Sequence, residues 1–462
     1  MSVLDDVRAR HRWADPVGIE GTVTALRGMS VLARDLPVVV GGLVEVRASS
    51  GPRLAEVVGF DGEHAILMLL GSQAGVRGGD RVCSVSATAT IGVGRDLLGR
   101  VIDGLGAPID GGGPIAAASP RPVHGEPIGA MRRRRIVDCL ETGVRAIDSM
   151  TTVGVGQRMG VFAGPGVGKS TLLGMIARNT SADVNVIALV GERGREVREF
   201  IEEALGEEGL ARSVVVVSTS EESPLMRVRA AHAASAIAEH FRDEGADVML
   251  MVDSVTRFAH AQRQIGLSVG EPPATRGYTP SVFAALPGLL ERAGAVEPDA
   301  SGRGGGSVTA FYTILVEGDD MTEPVADAVR GILDGHLVLT RRLARRGHYP
   351  SIDVLDSVSR LAEEICPEEQ SAARREVQGL LAAYAEAEEL IQIGAYAAGS
   401  NARVDRAIAL KDGIDALLTQ GVSERSTLAE ARDRLIELSR SGAESPNGGG
   451  GARRAPAGGR AG

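Results

Sequence analysis

The sequence predicts an α/β protein with a parallel β-sheet in its central domain, a small β-barrel domain before it and a helical domain after it. The first observation is that apolar runs rich in Val, Ile and Leu alternate with amphipathic stretches after residue 91. Such alternation is typical of a parallel sheet covered by helices on both faces. The second is the length of 462 residues, which is too great for one core and fits about three domains.

The first predicted domain covers residues 19–90. Short β-rich runs such as GTVTAL, LVEVRA and HAILMLL are separated there by glycine, and turn signals recur at a spacing of about ten residues. This pattern is typical of a small all-β barrel or sandwich. No long helical pattern interrupts it, so we expect a β-barrel domain.

The second predicted domain covers residues 91–365 and contains the sheet. Its strand candidates are 158–163, 184–192, 213–220, 247–254 and 307–318, and the helical stretches between them are 171–179, 196–205 and 226–245. From residue 366 the strand pattern stops and the chain becomes amphipathic and rich in Ala, Glu, Leu and Arg. This change predicts a helical C-terminal domain over residues 366–440.

The two ends of the chain follow different patterns. Residues 441–462 are rich in glycine and poor in apolar groups, which predicts a disordered tail. Residues 1–18 leave two alternatives open, a frayed terminus, which we favour, and an amphipathic docking helix. The apolar positions of such a helix are Val3, Leu4, Val7 and Trp13.

Composition argues against several classes of protein. A net charge of −10 speaks against general nucleic-acid binding, which depends on neutralising phosphates with Lys and Arg. No apolar run is long enough to span a membrane, and the first residues lack the apolar segment of a secretory signal. The cysteines Cys83, Cys139 and Cys366 have no metal-like spacing, which indicates reduced thiols in a cytoplasmic protein.

A phosphate-binding loop is the strongest motif. Residues 163–170 read AGPGVGKS, which is the P-loop pattern with alanine at its first position. Its glycines let successive backbone N–H groups face the phosphates, Lys169 reaches the β- and γ-phosphates, and Ser170 offers its hydroxyl to Mg²⁺. The residues predicted to bind ATP here are Gly164, Pro165, Gly166, Val167, Gly168, Lys169, Ser170 and Thr171.

Two acidic residues follow predicted strands, where ligands of α/β sheets gather. Asp253 ends an apolar run and is the predicted Mg²⁺-side carboxylate, with a helix N-cap as the alternative. Glu192 ends another run and is the candidate for polarising the attacking water. For Glu192 the alternative is a surface salt-bridge cluster with the neighbouring arginines Arg193, Arg195 and Arg198.

Four long stretches carry a family resemblance. They are GERGREVREF at 191–200, EPPATRGYTPSVFAALPGLLERAG at 271–294, VEGDDMTEPVADAVRGILDGHLVL at 316–339 and HYPSIDVLDSVSR at 348–360. In these the chain resembles the export ATPases of flagellar and virulence type III secretion systems, which are relatives of the subunits of rotary ATP synthases. The resemblance extends over about residues 19–438 and implies a RecA-like P-loop NTPase core.

The resemblance also implies roles for individual residues in a homohexameric ring with active sites at subunit interfaces. Lys169 and Ser170 match the P-loop pair, Glu192 the water-activating acid, and Asp253 the Walker B acid. The further matches are Arg193 as a site arginine, Arg257 as a γ-phosphate-side arginine, Tyr349 as the aromatic that stacks on adenine, and Arg360 as an arginine finger for the neighbouring subunit.

The implied partners are those of a protein export motor. They are a stator-like dimeric regulator, a coiled-coil stalk protein, export chaperones with their cargo, and a membrane export gate. The protein would then be cytoplasmic and peripheral at the inner face of the cytoplasmic membrane. The stretch at 390–408 favours the flagellar branch over the virulence branch.

Three alternatives to this function stay open. A rotary ATP synthase subunit is less favoured, because one chain carries both the candidate water-activating acid Glu192 and the candidate finger Arg360. An RNA-translocating hexamer is disfavoured by the acidic charge and by the 3% content of aromatic residues,. A scaffold without turnover is disfavoured by the complete set of catalytic residues.

Overall fold

The structure is a computed structural model that describes residues 18–116, 119–298, 304–316 and 320–441. The apolar positions of the suggested docking helix lie outside the described residues, as does the C-terminal tail after Ser441. No helix within the described ranges is long and apolar enough to cross a membrane.

A closed six-stranded barrel forms the N-terminal part of the fold. Its strands, paired in the order β1-β2-β5-β4-β3-β6, are β1 Glu20–Arg27, β2 Ser30–Arg34, β3 Leu43–Ala48, β4 Gly51–Asp61, β5 His64–Leu69 and β6 Arg81–Ser86. Alternate residues point inwards, as the period of two requires. In β3, for example, Val44 and Val46 are fully buried while Arg47 is exposed. The predicted barrel is confirmed.

The central domain is built on a nine-stranded, mainly parallel sheet. Eight strands follow one another in the order β19-β18-β12-β17-β15-β13-β14-β8, and β16 pairs with β17 alone. These strands are β8 Val101–Asp103, β12 Arg158–Ala163, β13 Val184–Glu192, β14 Ser213–Thr219, β15 Asp247–Asp253, β16 Gly294–Ala295, β17 Ser307–Leu315, β18 Gly335–Leu339 and β19 Val358–Ser359. Two short ribbons complete the strands, β7 Thr90–Val93 with β9 Ser119–Pro122, and β10 Cys139–Leu140 with β11 Val153–Gly154.

Both faces of the sheet are covered by packed helices, as the sequence predicts. In β13, Val186 and Ala188 belong to one hydrophobic core and Ile187 and Leu189 to the core on the opposite face. The predicted five strands are all present, but the sequence did not reveal the parallel strands β8 and β18. Both are short, and β18 interrupts its apolar run with His336, so neither carries a strong strand pattern.

The helices are distributed over the central and C-terminal parts. They are α1 Arg145–Met150, α2 Lys169–Asn179, α3 Gly194–Glu199, α4 Gly206–Ala211, α5 Pro224–Asp243, α6 Val255–Ser268, α7 Pro280–Leu290, α8 Pro324–Ile332, α9 Arg341–Arg345, α10 Ala362–Ile365, α11 Glu368–Gln392, α12 Ala402–Leu418 and α13 Leu428–Arg440. A π-helical turn, Phe200–Leu205, joins α3 to α4, so the predicted helix 196–205 is an α-turn followed by a π-turn.

Local sequence explains where the main helices begin. Ser223 caps α5 by accepting a hydrogen bond from the Met226 N–H at 3.2 Å, and Pro224 occupies the first helical turn, where its missing N–H costs nothing,. At α13, Thr427 and Glu430 form a reciprocal capping box,. The helices α11, α12 and α13 pack together in the C-terminal part, which confirms the predicted helical domain type.

A buried ion pair holds α5 to the chain after α7. Arg292 is 1% exposed and donates to both carboxylate oxygens of Glu239, at 2.7 and 3.0 Å. The same guanidinium donates to the carbonyl of Val123 at 2.8 Å. Removing the charge of one member of a buried pair leaves the other uncompensated.

We therefore expect Glu239→Gln to lower the free energy of unfolding by about 3–5 kcal/mol. Chemical denaturation of the purified protein would measure this as a lower midpoint. The control is Arg198→Ala, which removes a solvent-exposed ion pair with Glu202 and should leave the midpoint unchanged. Equal midpoints for Glu239→Gln and wild type would contradict a stabilising role for the pair.

Candidate active site

The predicted phosphate loop connects β12 to α2 at the carboxyl edge of the sheet. Gly166 and Gly168 have φ angles of 76° and 92°, in the left-handed region that favours glycine. Pro165 and Gly166 are exposed, and Ser170 and Thr171 lie exposed in the first turn of α2. The loop and the N-terminal turn of α2 are therefore open to solvent, as an anion site at a helix N-terminus requires,.

Two residues that the sequence did not reveal hold the phosphate loop and the segment that contains Tyr349 in place. The hydroxyl of Ser351 donates to the carbonyl of buried Val167 at 2.7 Å. The backbone N–H of Gln420, after α12, donates to the carbonyl of Tyr349 at 2.9 Å. The C-terminal helical part thus contacts the segment that carries the predicted adenine-stacking residue.

The ring of Tyr349 lies beside the phosphate loop. A Cβ atom added to Gly168 would lie 3.6 Å from two carbon atoms of that ring, which is ordinary van der Waals contact. The side chain remains 46% exposed. An aromatic face is therefore available next to the glycines of the predicted phosphate loop.

Lys169 links the two predicted acids. Its Nζ donates a hydrogen bond to Oδ1 of Asp253 and lies 3.6 Å from Oε1 of Glu192. Burial lowers the pKa of the Lys169 ammonium, but the two carboxylates outweigh burial and hold this pKa above its ordinary value. The three side chains that the sequence predicts as the core of the site are therefore together and charged in a complementary way.

Asp253 is held by a further residue that the sequence analysis missed. It is 2% exposed, and the hydroxyl of Thr313 on the neighbouring strand β17 donates to its Oδ1 at 2.7 Å. The register of the two strands places Val252 opposite Tyr312, and so brings Thr313 beside Asp253. The helix-cap alternative for Asp253 is wrong, because Ser254 accepts the hydrogen bond from the Arg257 N–H and caps α6.

Glu192 faces the phosphate loop rather than the surface arginines. Its side chain is 15% exposed, and burial raises the pKa of Glu192 to about 7, opposed by Lys169. The nearby carboxyl of Glu196 adds to the rise in the pKa of Glu192, and the pKa of Glu196 is lowered in turn. Among the described residues the three surface arginines pair with other carboxylates: Arg193 with Glu196, Arg195 with Glu199, and Arg198 with Glu202.

Arg193 and Arg257 occupy different environments. Arg193 is 79% exposed and its Nη1 lies 3.8 Å from Glu196, so it is at the rim of the site. Arg257 packs over Gly191, where an added Cβ atom would lie only 2.9 Å from the Arg257 Cβ. Gly191 has a φ of 73°, so only a glycine lets α6 approach the end of β13 in this way. Arg257 Nε is buried and has no hydrogen-bond partner among the described residues.

Arg360 lies apart from the other predicted residues. Arg360 follows β19, and β19 pairs with the first residues of β18. The strand β18 runs parallel to β12, and its first residue, Gly335, lies opposite Met159 near the start of β12. Arg360 is therefore at the amino edge of the sheet, whereas the phosphate loop is at the carboxyl edge. The two edges are separated by the length of β12, and a strand of that length spans about 17 Å. The exposed Arg360 guanidinium donates only to the carbonyl of Arg330 within the described residues.

The side-chain oxygens near the phosphate loop are suited to a magnesium ion that is bound together with a nucleotide. They do not form a metal site made only of protein side chains. No group of three or more His, Cys, Asp or Glu side chains suited to a metal occurs within the described ranges. Mg²⁺ in nucleotide sites uses one or two protein oxygens together with phosphate and water. Ser170 and Asp253 supply a hydroxyl and a carboxylate at this edge, so the donor set fits the ion.

Comparison with known proteins agrees with this geometry. The model of the ATP synthase alpha/beta family, nucleotide-binding domain, matches residues 143–359, and that of the type III secretion EscN ATPase C-terminal domain matches residues 366–437. The flagellum-specific ATP synthase of Treponema pallidum is 53% identical over 416 residues, covering 90% of this chain and 92% of that protein. The type 3 secretion system ATPase of Xanthomonas euvesicatoria is 49% identical over 430 residues, covering 93% of this chain and 94% of that protein.

A solved structure with the same architecture is the assembled ATPase EscN of the enteropathogenic Escherichia coli type III secretion system. It superposes with a TM-score of 0.84 at 41% identity, and the match covers 91% of this chain and 100% of that chain. A second EscN structure, in complex with its central stalk EscO, gives a TM-score of 0.83, again at 41% identity and with 91% of this chain and 100% of that one covered. The identities and coverage identify this chain as a member of the family of flagellum-specific ATP synthases and type 3 secretion system ATPases.

Proposed function

We propose that this chain is a Mg²⁺-dependent ATP hydrolase that energises protein export through a flagellar-type secretion apparatus. The observation that carries the proposal is the convergence of Lys169, Asp253 and Glu192 at one edge of the sheet, next to the glycines of the phosphate loop. A phosphate-binding cation, a metal-side acid and a water-side acid are the groups that nucleotide hydrolysis by a P-loop enzyme needs.

Each of these residues has a separate task in the proposed reaction. The backbone of residues 164–168 and the ammonium of Lys169 hold the β- and γ-phosphates and stabilise their negative charge. The carboxylate of Glu192 orients a water molecule for attack on the γ-phosphorus and takes up its proton. Ser170 and Asp253 would hold Mg²⁺, which when bound supplies charge neutralisation on the phosphates. Tyr349 offers its ring to the adenine base.

The position of Arg360 supports a site that is shared between two subunits. Because Arg360 is at the amino edge of the sheet, it cannot reach the phosphate loop of its own chain. Its exposed guanidinium is available to a second copy, as an arginine finger is. We therefore propose a homohexameric ring in which each site contains the Lys169 of one subunit and the Arg360 of the next.

The proposed partners follow from the relatives. The EscN structures show an assembled ATPase and its complex with a central stalk, so we propose that this ring binds a coiled-coil stalk protein. A dimeric regulator, chaperone–cargo complexes and an export gate complete the proposed apparatus, with the ring peripheral at the inner face of the cytoplasmic membrane. The flagellum-specific ATP synthase and the type 3 secretion system ATPase compared above are both about half identical to this chain.

Motility tests the flagellar branch of the proposal. Deletion of the gene should abolish swimming, and the wild-type gene should restore it whereas a Lys169→Ala allele should not. Normal motility of the deletion strain, with loss of secretion of virulence proteins, would instead assign the chain to a virulence secretion system.

The pH dependence of hydrolysis tests the role of Glu192. With a pKa of about 7, Glu192 is protonated below that pH and cannot accept the proton of water. We expect kcat/KM for ATP, which reports the free enzyme, to fall as the pH drops below about 7 and to level off above it. Steady-state phosphate release at subsaturating ATP would measure it.

The matched control for this profile is Glu192→Gln. It should bind ATP but hydrolyse it about 10²–10⁴-fold more slowly, and its residual rate should lack the step near pH 7. Any change in the hydrolysis rate near pH 7 that remains in this variant would come from titration of the phosphates of ATP. A wild-type profile that is flat between about pH 6 and about pH 8, or near-normal turnover by Glu192→Gln, would remove Glu192 from the proposed role.

A further inference from the structure

Two of the three cysteines lie together where the nucleotide-binding domain meets the C-terminal helices. Cys139 is in β10, and Cys366 lies between α10 and α11. The Sγ atom of Cys139 is 3.3 Å from the carbonyl oxygen of Ile365, which places it beside the peptide bond that leads into Cys366. The Cys139 S–H donates to this carbonyl, and the two cysteine side chains are close enough to shift each other's pKa in opposite directions.

The packing around the two thiols keeps them close. Cys139 lies opposite Gly154 in the β10–β11 ribbon. A Cβ atom added to Gly154 would lie 2.4 Å from Ile136 Cγ2 and 3.4 Å from Ile365 Cδ1. The end of α10 is therefore pressed against the ribbon, and Cys366 cannot move away from Cys139 unless the junction between the two domains opens.

The two thiols differ in their chemistry. A hydrogen bond with Cys139, one with Thr152 and the nearby guanidinium of Arg374 lower the pKa of Cys366 below its ordinary value, which favours the thiolate form of Cys366. The same hydrogen bond, together with burial, raises the pKa of Cys139. A thiolate next to a neutral thiol is the arrangement of a reactive cysteine with its resolving cysteine. Cys83, in the barrel, has a pKa raised by burial.

We propose that Cys139 and Cys366 form a reversible oxidation site at which hydrogen peroxide produces an intrachain disulfide between the two domains. The Cys366 thiolate attacks one peroxide oxygen, the O–O bond breaks, and Cys366 becomes a sulfenic acid as hydroxide leaves. The Cys139 sulfur then attacks the Cys366 sulfur, its proton goes to the departing hydroxyl, and the S–S bond forms. In total two thiols lose two electrons and two protons, and one peroxide becomes two waters.

The disulfide would join the ribbon that precedes the phosphate-loop strand to the short segment between α10 and α11. Both cysteines are partly exposed, so a small oxidant reaches them in the folded protein. Reduced glutathione or thioredoxin would return the pair to thiols, as for other redox-sensing cysteines of reducing compartments. The cysteine pair lies at the domain junction, and its oxidation does not depend on the proposed ATP hydrolysis.

Peroxide treatment of the full-length protein tests the site. Wild type should lose two of its three titratable thiols together, and its intact mass should fall by two hydrogen atoms. Peptide mapping without reductant should find Cys139 joined to Cys366, and dithiothreitol should restore both thiols. The thermal midpoint should rise on oxidation, because a cross-link formed in the native geometry restricts the unfolded chain.

Matched cysteine variants separate this pair from chance oxidation. Cys83→Ser should behave as wild type, since Cys83 lies outside the pair. Cys139→Ser should stop at a sulfenic acid on Cys366, which dimedone would trap, and should show no rise in thermal midpoint. Independent oxidation of all three thiols, a cross-link between chains, or an oxidised wild type with a lowered midpoint would each overturn the proposal.

Discussion

Lys169→Ala should weaken ATP binding by about 100-fold or more, because it removes the cation that we propose contacts the β- and γ-phosphates. A hydrogen-bonded, desolvated charge contact of this kind contributes about 3 kcal/mol, which corresponds to about two powers of ten in Kd. The side chain is 12% exposed and also neutralises Asp253 and Glu192. Without it, two uncompensated carboxylates face the phosphates and repel them.

Calorimetric titration with Mg-ATP would measure this loss. The chain offers a matched control, since its other lysine, Lys411, pairs with Asp415 on α12 and makes a cation–π contact with Tyr384. Lys411→Ala should retain wild-type affinity. A thermal midpoint for Lys169→Ala close to that of wild type would show that the loss of binding is local, and undiminished ATP affinity in that folded variant would contradict the assignment of the loop.

Arg360→Ala should reduce ATP turnover by about 10³–10⁵-fold, the range that finger arginines contribute in related nucleotide hydrolases. The affinity for nucleotide should change far less than turnover does, because Arg360 is remote from the phosphate loop of its own chain. The control is Arg425→Ala, which removes an exposed pair with Glu208 and should leave turnover unchanged.

Mixed rings distinguish a shared site from a site within one chain. Lys169→Ala subunits lack the proposed phosphate-binding cation but keep the proposed finger Arg360, and Arg360→Ala subunits have the reverse defect. Each variant alone should be inactive, whereas a mixture should regain turnover at sites where an Arg360→Ala loop meets the finger of a Lys169→Ala neighbour. A mixture that stays as inactive as its components would show that Arg360 does not act across the interface.

Local sequence was enough to predict the phosphate loop and the two acids. The P-loop pattern at 163–170 needs only a strand before it and a helix after it, and both occur where the hydrophobic pattern predicts them. Asp253 and Glu192 were found because each ends an apolar run. Parallel strands bring their carboxyl ends to one edge, so two acids far apart in the chain could be predicted to meet.

Residues that act through strand register or long-range packing were not predictable in this way. Thr313 contacts Asp253 because β17 lies beside β15 in a particular register. Its only sequence signal is a polar residue inside an apolar run. Ser351 and Gln420 reach the site from segments about 180 and 250 residues after the phosphate loop. No local pattern marks such contacts.

The sequence by itself therefore determined the domain types, the nucleotide chemistry and the family, because these depend on short-range periodicity and on residue types at fixed spacing. Only the tertiary structure decided the environments of the charged groups. It buried Glu192 and raised its pKa, set Arg193 at the exposed rim, and placed Arg360 at the opposite edge of the sheet. Those properties depend on desolvation and strand order, which arise only when distant segments pack together.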